Sequence, residues 1–327
     1  MGEALEVAKV LVEPTMKLLN MVGGAIGMLY EPKHKRKMAD ATAYEIEVIG
    51  DAMRKAADLP IVYDQNGVAI NSEDFARLMQ RAGTRLALQE TIKQHNIESV
   101  VDNAYEILEK EERCSAEPVE QGWINRFFDS VADISDEDLQ KLWGKVLAGE
   151  IRQPRSYSLR TLETLKNLAK HEAQVFQKVL PFVIDGGGDK FIASKSSIHN
   201  KYGVTYEDIM LLDECGLIIS NGTVSLTIIA SEDTIIAHNT QHALIAEDIK
   251  EEKKFSFGIY SLTKAGKELL NIMDYEPNNI YFSDFAENVF KENRHSNLTI
   301  QVIKNVNGSI VNTTGETVRE FCDSKKR

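Results

Sequence analysis

Apolar and polar positions alternate along this chain in two different rhythms, helical at first and mixed later. Over residues 3–29, Val7, Val10, Leu11, Leu18, Met21, Val22 and Ile26 populate one side. Glu6, Lys9, Glu13 and Lys17 recur at spacings of three and four on another. That pattern predicts an amphipathic helix. Pro14 is expected to kink or split it, and Gly23, Gly24 and Gly27 to weaken its end. Residues 36–58 are Ala-rich and read as a second helix, closed by Asp58-Leu59-Pro60. Asp64-Gln65-Asn66-Gly67 is a turn signal, compatible with two short strands or with a loop. Asn71-Ser72-Glu73-Asp74 then starts a helix that runs to about residue 112. Ser115–Pro118 is the first candidate boundary.

Residues 121–178 carry the strongest helical pattern. Trp123, Phe127 and Phe128 are helix-spaced. Ser135 precedes three acids, a cap followed by negative charge in the first turn. The helix Asp136–Ala148 gathers Leu139, Leu142, Trp143, Val146 and Leu147 on one face, with Gly149 as its stop. Pro154 occupies the connection. Ser156 or Ser158 caps a further helix striped by Leu159, Leu162, Leu165 and Leu168, so consecutive helices of a bundle are expected.

Pro181 and the run Asp185-Gly186-Gly187-Gly188-Asp189 mark a second boundary, read as a linker. Beyond it, Tyr206–Cys215 is a helix ending at Gly216. Leu217-Ile218-Ile219 and Val224–Ile229 read as strands about the turn Asn221-Gly222. Phe255–Leu262 is another strand and Thr263–Met273 a helix. This order is that of a winged helix with 231–252 inserted between strands. Residues 276–327 are weakly patterned, apart from a strand at Leu298–Val306 and a fraying tail at Ser324–Arg327. The expected class is therefore mainly α: an N-terminal and central helical bundle followed by a winged-helix-like α+β domain. The expected segments are 1–115, 116–180, 181–275 and a C-terminal extension over 276–327.

Charge sharpens this picture. The net charge is −12, but it is unevenly spread. Residues 101–150 hold five bases and thirteen acids, 151–200 eight bases and four acids, and 201–250 two bases and eight acids. The expected recognition helix of the winged helix carries Glu207, Asp208, Asp213 and Glu214 and no Lys or Arg. Phosphate contact needs cations, so DNA is not an expected partner. Cys114, Cys215 and Cys322 are sparse, odd in number and without metal-ligand spacing, as in a reducing cytoplasm. The acidic start lacks a secretory signal, and no apolar run is long enough to span a membrane.

The stretch from Ser135 to Ile151, then Pro154, then Ser158-Leu-Arg-Thr-Leu-Glu-Thr-Leu-Lys-Asn-Leu168 resembles the bacterial domain-of-unknown-function family 2806. It is also similar to the abortive-infection alpha proteins, which share a Trp-bearing helix, a Pro turn and a second Leu-rich helix. Glu214-Cys-Gly-Leu-Ile218 and Tyr260-Ser-Leu-Thr-Lys-Ala-Gly-Lys-Glu-Leu269 match what usually follows. The resemblance implies a link to phage defence and supplies no catalytic residue.

No motif names a reaction. The glycine run lacks a Walker or dinucleotide pattern, and no nucleophile elbow is present. His238 and His242 stand four apart, read as a solvated helix rather than a metal pair. No cofactor, metal or catalytic residue is expected. Arg152, Arg155, Arg160, Lys166 and Lys170 form the anion or partner-binding candidate, with Arg152 and Arg155 near a helix N-terminus. The competing reading pairs them with the acidic 129–138 region. Val10, Leu11, Leu18, Val22 and Ile26, followed by Lys33, Lys35, Arg36 and Lys37, are the candidates for self-association or for an anionic membrane surface. The function expected is a non-catalytic phage-defence-type scaffold that self-associates or docks a protein partner in the cytoplasm. The alternatives are a peripheral effector at the inner membrane and, behind it, a DNA-binding regulator.

Overall fold

The computed structural model describes residues 11–26, 72–194, 201–221, 224–231, 234–293, 297–306 and 309–317. The expected helix at 36–58, the turn near 64–67, the bases Lys33, Lys35, Arg36 and Lys37, and the tail at 324–327 lie outside these residues, as does Val10. The chain divides into two compact units, Met1–Ser156 and Tyr157–Arg327. The division falls within the segment read from sequence as a central domain. Each unit is described by itself.

In the first unit, β1 (Leu11–Val12) pairs antiparallel with β2 (Cys114–Ser115). The strand β1 stands where the N-terminal helix was expected to continue. Pro14 does not kink a helix but begins one: α1 spans Pro14–Ile26 and passes through Gly23 and Gly24. Proline at a first helical position loses no hydrogen bond, because that N–H has no partner in any helix. Helix α2 (Ser72–Leu108) follows, then α3 (Gln121–Val131) and α4 (Glu137–Arg152). Asp136, rather than Ser135, caps α4, accepting from Asp138 N at 3.0 Å and Leu139 N at 3.1 Å. Gly149 does not stop α4. The helix runs on to Arg152, and the buried Glu150 then accepts from Arg155 N at 2.6 Å, holding Arg155 at φ 69°.

The core of this unit is aromatic. Trp123 stacks on Phe127 with ring centroids 5.0 Å apart, and Trp143 meets Phe127 edge-on at 5.4 Å. Leu18 and Val22 of α1, Val100 and Ala104 of α2, and Val146 and Leu147 of α4 complete it. A Cβ on Gly144 of α4 would stand 2.5 Å from Cβ of Asn103 on α2, so the two helices touch backbone to backbone there.

The second unit opens with α5 (Leu159–Asn167), capped by Ser158, and α6 (Lys170–Val179). A short 3₁₀ turn (Leu180–Phe182) leads to the hairpin of β3 (Ile184–Gly186) and β4 (Asp189–Ala193). The glycine run is therefore a hairpin turn and not a linker. Gly187 and Gly188 sit at φ 63° and 87°, the left-handed pair that a two-residue hairpin turn needs. Helix α7 (Tyr206–Glu214) precedes β5 (Ile218–Ile219) and β6 (Ser225–Ala230). Strands β7 (Thr234–His238), β8 (His242–Glu247) and β9 (Lys253–Leu262), helices α8 (Lys264–Leu270) and α9 (Asn279–Glu292), and the hairpin β10 (Asn297–Val306) with β11 (Ser309–Thr317) follow.

All pairings are antiparallel, in the order β11-β10-β8-β7-β3-β4-β9-β5, with β6 also on β9. The strands flanking Asn221 do not form the expected hairpin. Both lie along one edge of β9, with Ile218 opposite Leu262 and Ser225 opposite Gly258, while β4 occupies the other edge. The insertion 231–252 contains β7 and β8, which carry the sheet onward. The unit is thus mixed α+β, with a much larger sheet than the mainly α class allowed. Helix α9, which weak patterning hid, packs Phe285 against Phe191 and Phe257, and Tyr281 against Phe182. The buried Tyr281 hydroxyl accepts from Ala193 N at 2.9 Å.

Candidate functional site

Helix α2 is the element that most exceeds its supports. Its 37 residues extend about 55 Å at 1.5 Å per residue. From Asn96 onward it is embedded. Asn96 donates to Ala132 O at 2.8 Å, Ser99 donates to Gln140 Oε1 at 2.7 Å, and Gln140 donates to Ile134 O at 2.8 Å. Asn96 and Gln140 are both buried, so this polar knot fixes where α2 enters the body.

Before Asn96 the same helix is an exposed arm. Leu78, Met79, Leu86, Leu88 and Ile92 are 41–60% exposed. Two rows run along it. Leu78, Ala82 and Leu86 continue the stripe that Val100 and Ala104 bury further on. Arg77, Arg81, Arg85, Leu88 and Ile92, at spacings of four, four, three and four, form a second, cationic and apolar row. Arg81, Arg85, Leu88 and Ile92 line a shallow groove along this row with Gln80, Thr84 and Gln89. Large apolar side chains concentrated on one solvated helix mark a contact surface. Reading 72–112 as one helix missed this arm. Periodicity reports that a helix has an apolar side, not whether a neighbour covers it.

The candidates drawn from sequence fall in several places. Leu18 and Val22 are fully buried in the first unit's own core. Leu11 lies in β1 and Ile26 ends α1. Lys17, placed on the polar face by its spacing, turns inward and donates to Ser115 O and Ile151 O, each at 2.8 Å. Burial lowers its pKa from the ordinary lysine value, against the raising pull of nearby acidic groups.

Arg152 and Arg155 belong to the first unit, and Arg160, Lys166 and Lys170 to the second. Arg152 pairs with Glu111 at 2.8 Å and Arg155 with Glu117 at 2.9 Å. Both are thus ion-paired within their own unit, but not with the 129–138 acids that the competing reading named. The helix N-terminus expected to hold an anion is α5, and Glu268 of α8 occupies it. Its carboxylate accepts from Ser158 N at 2.7 Å, Ser158 Oγ at 3.2 Å and Thr161 Oγ1 at 2.5 Å. Arg160 borders a cleft of about 400 Å³ with Glu163, Glu172, Glu214 and Cys215, where carboxylates outnumber the base. Burial, followed by Glu172 and Glu214, pushes the Cys215 thiol up to about 11, so it stays protonated near neutrality. Lys166 and Lys170 are exposed.

The acidic helix α7 is internally engaged as well. Thr205 caps it, Asp208 pairs with Lys178 at 2.6 Å, and Asp213 accepts from Ser220 Oγ at 2.5 Å. His238 and His242 are not on a helix. They flank the β7–β8 turn, where Asn239 Oδ1 accepts from the backbone N–H of Gln241 and His242, and His242 Nδ1 lies 3.0 Å from Asn279 Oδ1. Among the described residues no group of three or more His, Cys, Asp or Glu is arranged to hold a metal ion. No described helix is long and apolar enough to cross a membrane.

The described chain is thus an α+β protein in which one long helix carries exposed apolar side chains over its first half. It belongs to a family described only as proteins of unknown function, DUF2806, whose model matches residues 80–286. That span takes in most of the arm, the Trp143 helix and the second unit as far as the middle of α9, and leaves β10 and β11 outside. No curated protein and no solved structure matches the chain.

Proposed function

We propose that this protein is a non-catalytic, phage-defence-type scaffold of abortive-infection character that acts by docking protein chains, copies of itself among them. The observation that carries this reading is the arm of α2. Five large apolar side chains stand exposed within fifteen residues of one helix, while Arg152 and Arg155 are ion-paired inside their own unit. The defence link rests on the similarity of residues 135–168 to abortive-infection proteins.

Within the second unit we infer a winged helix. The order β4-β9-β5/β6, with α7 immediately before β5, supports it. The α7 acids, two of them bound to Lys178 and Ser220, favour a structural or protein-contacting role over DNA readout. The membrane alternative loses its support where Leu18 and Val22 are core residues.

Sedimentation velocity over a hundredfold concentration range tests the scaffold reading. Association that rises with concentration, and that weakens at least tenfold in Leu88→Ser/Ile92→Ser, is the expected result. A wild-type chain that stays monomeric and captures no protein sinks it. Plaque counts on cells with and without the chain test the defence role.

A further inference from the structure

The arm is cationic and the body it grows from is acidic. Residues 77–95 carry Arg77, Arg81, Arg85 and Lys93 against a single acid, Glu90, with Glu73 and Asp74 before them in the first turn of α2, whereas residues 129–138, where α3 passes into α4, hold five acids and no base. Two arms laid side by side would oppose like charges. An arm laid on a body would oppose unlike ones. Because α2 is one uninterrupted helix from Ser72 to Leu108, the arm cannot turn back onto its own body. The body in question is a different copy's.

We infer that the arm of one copy docks on the acidic α3–α4 junction of the next, residues 129–138, head to tail. This deepens the self-association proposed above and rests on it. On the arm, Arg81 and Arg85 are exposed and make no ion pair among the described residues, and Leu88 and Ile92 continue their row. On the body, Asp129 at the end of α3 and Glu137 in the first turn of α4 are exposed and likewise have no ion-pair partner among the described residues. The apolar pair supplies area and the charges set orientation, as at other protein interfaces. A head-to-tail contact uses two different patches, so it does not end at a dimer. It closes into a ring or grows as a filament.

The test uses the full chain and two charge-reversed variants. The arm variant is Arg81→Glu/Arg85→Glu and the body variant is Asp129→Lys/Glu137→Lys. All four positions are solvated, and matching thermal melts establish that both variants fold. Wild-type chain is expected to grow beyond a dimer, and each variant alone to associate at least tenfold more weakly. An equimolar mixture is expected to recover growth beyond a dimer. In it the body variant's intact arm meets the arm variant's intact body, and the two reversed patches, acidic on the arm and basic on the body, again oppose unlike charges. Assembly of either variant at wild-type strength overturns the arm-on-body contact while leaving self-association standing, as does a mixture that remains monomeric. A wild-type chain that is monomeric throughout removes both.

Discussion

At the scale of single residues, this protein spends its charged groups on internal structure. Glu268 replaces the anion that the N-terminus of α5 would otherwise attract, accepting from a backbone N–H and two hydroxyls. Glu268→Ala leaves those donors without their acceptor in a half-buried place. It is expected to lower the second unit's stability by about 1–3 kcal/mol, read from a urea midpoint. Asp208 shows the pH side of the same habit. Partial burial alone would raise its pKa, but hydrogen bonds from Lys178 and Thr205 outweigh it and hold the carboxyl below its ordinary 3.8. A folded-state value below the unfolded one contributes stability that is present above pH 3.8 and is lost as pH falls through the lower value. Asp208→Asn removes that contribution, so its stability curve between about pH 5 and 2 is expected to be flatter than the wild type's. A curve of unchanged slope would refute the assignment.

At the scale of elements, close approach and capping decide more than propensity. Gly144 lies mid-helix, where glycine is intrinsically costly, yet α2 and α4 meet there with no room for a methyl group. Gly144→Ala, usually favourable in a helix, is expected instead to destabilise by roughly 1–3 kcal/mol through forced separation of the two helices. A stabilised Gly144→Ala in thermal unfolding would contradict this packing. The same logic explains α4's length. Propensity nominates Gly149 as a stop, but residues 143–151 are almost continuously buried and Glu150 terminates the turn beyond it. Tertiary burial overrides a weak local signal.

At the scale of the molecule, the proposed docking of a cationic arm on an acidic patch predicts association that depends on ionic strength. If charge orients the contact, raising salt from roughly 0.05 to 0.5 M shortens the screening length several-fold and is expected to weaken self-association. Apolar docking of arm on arm predicts the reverse, because salt strengthens burial and relieves repulsion between like-charged arms. Sedimentation at the two salt levels separates these.

The sequence by itself determined the local facts. Trp143 and its stripe, a cap at Ser156 or Ser158, the end of α7 at Gly216, the long helix after Ser72 and the strand Leu298–Val306 all follow from periodicity and capping within about ten residues. The acidity of α7 was equally plain. Tertiary structure alone decided the rest, because partners in a sheet and covers on a helix come from distant parts of the chain. It turned the glycine run into a hairpin, placed the strands around Asn221 along one edge of β9, and built β7 and β8 into the sheet. It buried Leu18 and Val22 and left Leu88 and Ile92 exposed, although all four carry the same helical signature. An amphipathic stripe states that a helix requires a partner. Only the packed chain shows which stripe has found one.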